Sequence, residues 1–294
     1  MHSAKRATAL AILAAALYAL MTPVSKLMQA SVAPVMEAGQ LYVGAGVGMA
    51  SIILVEKVSG HTSRQSSLQH SDLRFVVAMV ALDMVAPILL MLGLALTAPQ
   101  VVSLLNNFEI VATTVIAVLL FREKVSPLLV RAIVVITCAC MLLSLEGAEA
   151  LRLTPGALLV LGACVCWGFE NNCTASLSDR DVRQVVLFKG LGSGAGSLVV
   201  SVMAGEQLAA LGDCLTVMVL GFFSVGLSVW CYVKAQARLG AARTSAFYAT
   251  SPFIGAVLGM LTTRELPGLQ FWVAFALMAL GVWLSVQDAT ANES

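Results

Sequence analysis

Four ionisable residues stand inside long apolar runs: Asp83, Glu109, Glu170 and Lys189, with Glu37 near the start of another run. A charge at mid-bilayer costs about 2.5–3.5 kcal/mol on insertion scales, so such residues face a wet cavity, pair with one another or carry a proton. Glu109 has Asn106 three residues before it and Thr113 four after it, which places all three on one helix face. Ser103 extends that stripe, and Asn107 adjoins it. The alternative for Glu109 is plain bonding between helices. Glu170 has Trp167 at i−3 and Thr174 at i+4, with Asn171 and Asn172 beside it. An aromatic ring next to a carboxylate suits an amine or another cation. The same carboxylate also suits an ion pair with Lys189 on the following helix. Asp83 lies four residues before Pro87, and proline frees the carbonyl four positions back. Asp83 therefore either lines a pathway or bonds irregular backbone.

Further polar faces are weaker. Thr244, Tyr248 and Ser251 follow helical spacing and run into Pro252; Tyr18, Thr22 and Pro23 form a comparable group. Trp230 and Tyr232 add aromatic surface, though a membrane-interface position suits Tyr232 equally. Metal and catalytic chemistry find little support. Cys138/Cys140 and Cys164/Cys166 are two residues apart, hence on different helix faces, and His2, His61 and His70 fall outside the apolar runs. No metal site, cofactor or enzymatic activity is expected. Gly44–Gly48 and Gly190–Gly196 faintly resemble nucleotide loops but lack a strand–turn–helix context. They read instead as surfaces for close helix packing.

The elements that carry these residues follow from composition. Of 294 residues, 59% are hydrophobic and 11% charged, with a mean hydropathy of +0.92. That excludes a water-exposed globule and a disordered chain. A net charge of +1 leaves no footprint for nucleic acid. Ten apolar segments are legible, at roughly 7–28, 32–55, 73–96, 98–121, 127–145, 156–175, 182–204, 213–237, 241–262 and 267–287. Backbone groups in lipid must be bonded internally, so these are helices. The first also fits a signal peptide behind Lys5 and Arg6, but nine further spans argue against that. With a cytoplasmic N-terminus, thirteen Lys and Arg fall inside and three outside (Lys26, Arg152, Arg264), with Lys189 within a span. The expectation is a multi-pass protein of the plasma membrane, a bacterial inner membrane, with both termini cytoplasmic. Glu56–Asp72 reads as the one long loop, a cytoplasmic link.

The chain also resembles itself. Leu96–Leu145, with Ala98, Arg122, Glu123 and Pro127, parallels Leu239–Val286, with Ala241, Arg264, Glu265 and Pro267, at an offset of about 142 residues. Tyr18 falls opposite Trp167 at a similar offset, and both halves carry a glycine cluster in their second span. The expected domains are residues 1–147 and 154–290. Five spans per repeat is an odd number, so the second copy enters the membrane inverted, as in secondary transporters.

The pattern Leu104-Leu105-Asn106-Asn107-Phe108-Glu109, with Thr113 and Arg122-Glu123, resembles the EamA branch of the drug/metabolite transporter superfamily. Trp167-Gly168 and Ser251-Pro252-Phe253-Ile254-Gly255 share that resemblance. It implies an all-α fold of ten transmembrane helices in two inverted five-helix repeats, and movement of small metabolites, often outward. It also implies a mid-membrane cavity lined by spans one, three, four, six, eight and nine. The expected substrate contacts are Tyr18, Asp83, Ser103, Asn106, Asn107, Glu109, Trp167, Glu170, Asn171, Lys189, Trp230, Tyr248 and Ser251. Three carboxylates against one lysine favour a cationic or zwitterionic solute, and Glu109, Glu170 and Asp83 are the candidate proton carriers. No nucleotide-binding domain is read, so an ion gradient is the expected energy source. The alternatives are an uncoupled uptake facilitator for a similar solute, a membrane scaffold and a lipid-modifying enzyme. The sequence leaves the oligomeric state open.

Overall fold

The computed structural model describes residues 2–59, 66–122, 125–145, 154–177, 180–239, 244 and 247–291. His61, Glu123 and Ala241 lie outside them. The first apolar segment is two helices, α1 (His2–Ala19) and α2 (Met21–Met28). Pro23 has no N–H to give to the Ala19 carbonyl, which is where α1 stops. α3 (Pro34–Val58) starts with proline at its first turn. A short 3-10 turn, His70–Asp72, leads into α4 (Leu73–Leu96), which continues through Pro87.

The fourth segment is also broken, into α5 (Pro99–Leu105) and α6 (Phe108–Phe121). At the break the backbone switches to three-residue bonds: Asn107 N–H to Leu104 O, Glu109 N–H to Asn106 O and Ile110 N–H to Asn107 O, each 3.1 Å. The Asn107 amide donates to the same Leu104 carbonyl at 3.0 Å, offering the backbone a substitute for a helical turn. Next come α7 (Pro127–Ser144), α8 (Pro155–Ala175), α9 (Val182–Met203) and α10 (Leu211–Gly221). A π-helical stretch, Phe222–Leu227, joins α10 to α11 (Ser228–Leu239). α12 (Ser251–Thr263) and α13 (Leu269–Ala291) complete the described chain.

Eight of the helical segments are long and apolar enough to cross a membrane, with α12 a shorter apolar helix. α8 is 21 residues long, but its Glu170-Asn171-Asn172 end makes it more polar than those eight. Among the described residues no strand is present beyond one isolated bridge, Ser66 to Arg180. Large apolar side chains such as Leu54, Leu119 and Leu261 point outward, as a lipid-facing surface requires, while the interior combines many alanines with large side chains such as Met36, Leu90 and Ile136.

α3 is the central packing element. It lies against α9 and α10 so closely that side chains are excluded. A Cβ on Gly44 would sit 2.0 Å from the Met218 carbonyl oxygen, and one on Gly190 would sit 2.5 Å from the Gly46 nitrogen. Both glycine clusters are thus helix-contact surfaces. The other major contacts pair α4 with α8, α1 with α11, α7 with α13, α6 with α8 and α5 with α12. The segment that ends in α6 and the one that ends in α12 close alike. α6 is capped by Arg122 at φ 56° and ψ 32°, and α12 by Arg264 at φ 55° and ψ 25°. Left-handed arginines are uncommon, and these two are 142 positions apart.

Candidate functional site

α4, α8 and α9 converge on a buried ionic cluster. Lys189 on α9 pairs with Asp83 Oδ2 at 2.9 Å and with Glu170 Oε2 at 3.0 Å. Asp83 and Glu170 are 0% and 1% exposed, while the Lys189 side chain keeps 23% of its surface open. The carboxylates are thus enclosed, and the ammonium lies between them while part of the Lys189 side chain stays open. Asp83 also accepts from the Trp167 indole N–H at 3.1 Å and from the Tyr42 hydroxyl at 3.4 Å. Glu170 accepts from the Thr174 hydroxyl one turn on.

A second polar group lies alongside, where α6 meets α8. Asn171 Nδ2 donates to Glu109 Oε1 at 2.7 Å and to the Thr113 hydroxyl at 3.1 Å. Asn172 donates to the Thr113 carbonyl at 3.1 Å and the Gly168 carbonyl at 2.8 Å. The close approach is possible because Gly168 faces Ala112: a Cβ there would be 2.8 Å from the alanine methyl. Glu109 is half-buried and starts α6, where the N-terminal end of the helix favours negative charge.

A third group is aromatic. The Tyr248 ring stands 5.5 Å from Tyr18 and 5.1 Å from Tyr232, and its hydroxyl is 3.4 Å from that of Ser228. Ser228 itself donates to the Ala14 carbonyl at 2.9 Å, tying α11 to α1.

Most residues singled out from sequence therefore have defined positions around this region. Asp83, Glu170, Lys189 and Trp167 form one network; Glu109 and Asn171 form the adjoining one; the Tyr18 and Tyr248 rings meet at a tilt of 42°. Asn106 and Asn107 shape the break before α6. Ser103 and Ser251 are buried near the α5–α12 crossing, where a Cβ on Gly255 would lie 2.9 Å from Ser103 Oγ. Trp230 is not brought to these groups. It lines a cavity of about 510 Å³ with Gly48, Phe222 and Glu56, beneath the Lys234 ammonium 3.8 Å from its ring. Tyr42 was missed by sequence reasoning. Its only signal was being a lone aromatic ring in a glycine-rich helix. Among the described residues no group of three or more His, Cys, Asp or Glu is arranged to hold a metal.

A polytopic bundle of apolar helices with charged and aromatic groups gathered in its interior is the build of a membrane transport protein. The sequence profile of the EamA-like transporter family matches twice, over residues 5–145 and again over 154–287, and the chain belongs to that family. It is similar to an uncharacterized transporter of Methanothermobacter thermautotrophicus (strain Delta H), with 24% identity over 292 residues, 93% of this chain and 84% of that one. A crystal structure of a protein matches 98% of this chain and 99% of its own at a TM-score of 0.67 and 17% identity, a likeness of fold alone.

Proposed function

We propose that this transporter moves a small cationic or zwitterionic metabolite by alternating access, outward and in exchange for protons. The observation that carries this reading is Lys189 held between Asp83 and Glu170. Two carboxylates and one ammonium leave the cluster short of positive charge. A substrate amine would supply the missing cation, and a substrate carboxylate would draw Lys189 away from its partners. A zwitterion does both at once. A proton on Glu170, Asp83 or the nearby Glu109 would also neutralise the cluster, so solute and protons compete for the same charges. The aromatic rings of Trp167, Tyr18 and Tyr248 suit the face of such a cation.

The alternating-access part rests on the repeat. The contacts keep their pattern when each span is exchanged for the one five later: α4 with α8 becomes α11 with α1, and α6 with α8 becomes α12 with α1. The paired Arg122 and Arg264 caps support the same correspondence. With ten spans, the odd count per half would invert the second copy. In this reading both termini are cytoplasmic and the membrane is the bacterial plasma membrane.

The test uses vesicles reconstituted with the full chain, loaded with a pH-sensitive dye and challenged with a panel of amino acids and amines. The expected result is solute-dependent proton movement that is lost in Glu170→Gln. Solute movement without proton movement would replace coupling by facilitated diffusion. No solute movement with any panel member, in vesicles shown to contain folded protein, would overturn the substrate class.

A further inference from the structure

Glu37 takes no part in the cluster described above, yet it is a fully buried acid for which no ion pair is found among the described residues. It sits in the first turn of α3 and is 0% exposed. Neither carboxyl oxygen has a hydrogen-bond partner, and among the described residues no cation pairs with it. Ser25 and Gln29, on α2, lie beside it. The Ser25 hydroxyl and the Gln29 side-chain oxygen are also buried without partners. The carboxyl group is therefore enclosed with two neutral side chains and no cation.

Among the described residues, the charged side chains on α2, α10 and the segment between α9 and α10 are committed elsewhere or add negative charge. Lys26 donates to the Leu94 and Ala95 carbonyls at 2.5 and 3.2 Å, capping α4. Glu206 accepts the Val35 and Met36 N–H groups at 3.2 and 2.7 Å and the Ser201 hydroxyl at 2.8 Å, and so brings a second negative charge to the start of α3. Asp213 begins α10, where the Cys214 thiol takes the Gln40 amide at 3.0 Å. α4 and α9 contribute no charged side chain at this level: Asp83 and Lys189 are committed to each other further along. The N-terminal end of α3 is the one favourable field, worth roughly 1 kcal/mol. An isolated buried carboxylate costs far more than that, and in practice such a group neutralises.

We propose that Glu37 is a proton-binding site separate from the Lys189 cluster. With this end packed as it is, the group is a neutral carboxylic acid, because burial without a cation disfavours its charged form and its O–H can donate to the Ser25 or Gln29 side-chain oxygen beside it. When α2 and α3 part and water enters, the acid gives its proton to water and remains as a solvated carboxylate. The parting of α2 from α3 rests on the alternating-access reading; the proton on Glu37 does not.

The test is a pH-difference infrared spectrum of the full chain in lipid bilayers, which needs no substrate. At neutral pH one protonated-carboxyl C=O absorption is expected. It should be lost in Glu37→Gln, shifted in Glu37→Asp and retained in Glu170→Gln. An absorption unchanged by both Glu37 substitutions would overturn the proposal. So would a spectrum that changes when sodium replaces choline at constant pH, since the occupant would then be a metal cation. A retained Glu37 absorption in a protein that moves no solute would leave this site standing and remove the transport reading alone.

Discussion

Asp83 and Glu37 are both fully buried acids, on neighbouring helices α4 and α3, and they are provided for in opposite ways. Asp83 has an ammonium, an indole N–H and a phenol hydroxyl around it. Glu37 has only the neutral side chains of Ser25 and Gln29 beside it, and among the described residues no cation pairs with it. The first arrangement stabilises a charge, the second a neutral acid. One interior can therefore hold an ionic cluster compensated by a lysine and a separate acid without a counter-ion, whose charge state follows access to water.

Removing Lys189 is the strongest way to break that contrast. Lys189→Met leaves Asp83 and Glu170 facing each other without a cation. Breaking a buried pair from one side costs about 3–5 kcal/mol, so thermal unfolding in detergent should fall markedly. The triple variant Lys189→Met, Asp83→Asn, Glu170→Gln should recover most of that loss, because no uncompensated charge remains. Trp167→Phe keeps the ring and removes the bond to Asp83. A hydrogen bond to a charged group contributes about 1.5–3 kcal/mol, so the loss should be intermediate in the same assay. Glu37→Gln sits at the small end. It replaces one neutral group by another of similar shape and leaves no buried charge unpaired, so its loss of neutral-pH stability should be the smallest of the three single substitutions. A loss as large as that of Lys189→Met would mean that Glu37 is ionised and paired, and the contrast between the two acids would disappear.

Much of this was legible in one dimension. Helical spacing put Glu109 with Thr113, and Trp167 with Glu170, on common faces, because a helix repeats every 3.6 residues. The Lys189–Glu170 pair was one of two readings for Glu170. The repeat was legible at its Arg-Glu turns, whose described arginines adopt nearly identical left-handed conformations. The breaks at Ala19 and at Asn106–Asn107 were not read, although Pro23 and two adjacent asparagines signal them. Trp230 is an aromatic residue whose surroundings spacing did not reveal: it lines a depression with Gly48, Phe222 and Glu56.

Composition alone determined that the chain is a bundle of apolar helices, since so few charges cannot cover a water-exposed surface. Spacing alone determined which polar residues share a helix face. Only the tertiary structure decided which faces meet. The glycine contacts of α3 with α9 and α10 set how near those helices come, and the packing of α4 against both α8 and α9 decides that Lys189 meets Asp83 as well as Glu170. A helix's own period says nothing about its rotation toward a neighbour, and that rotation separates a paired acid from an unpaired one.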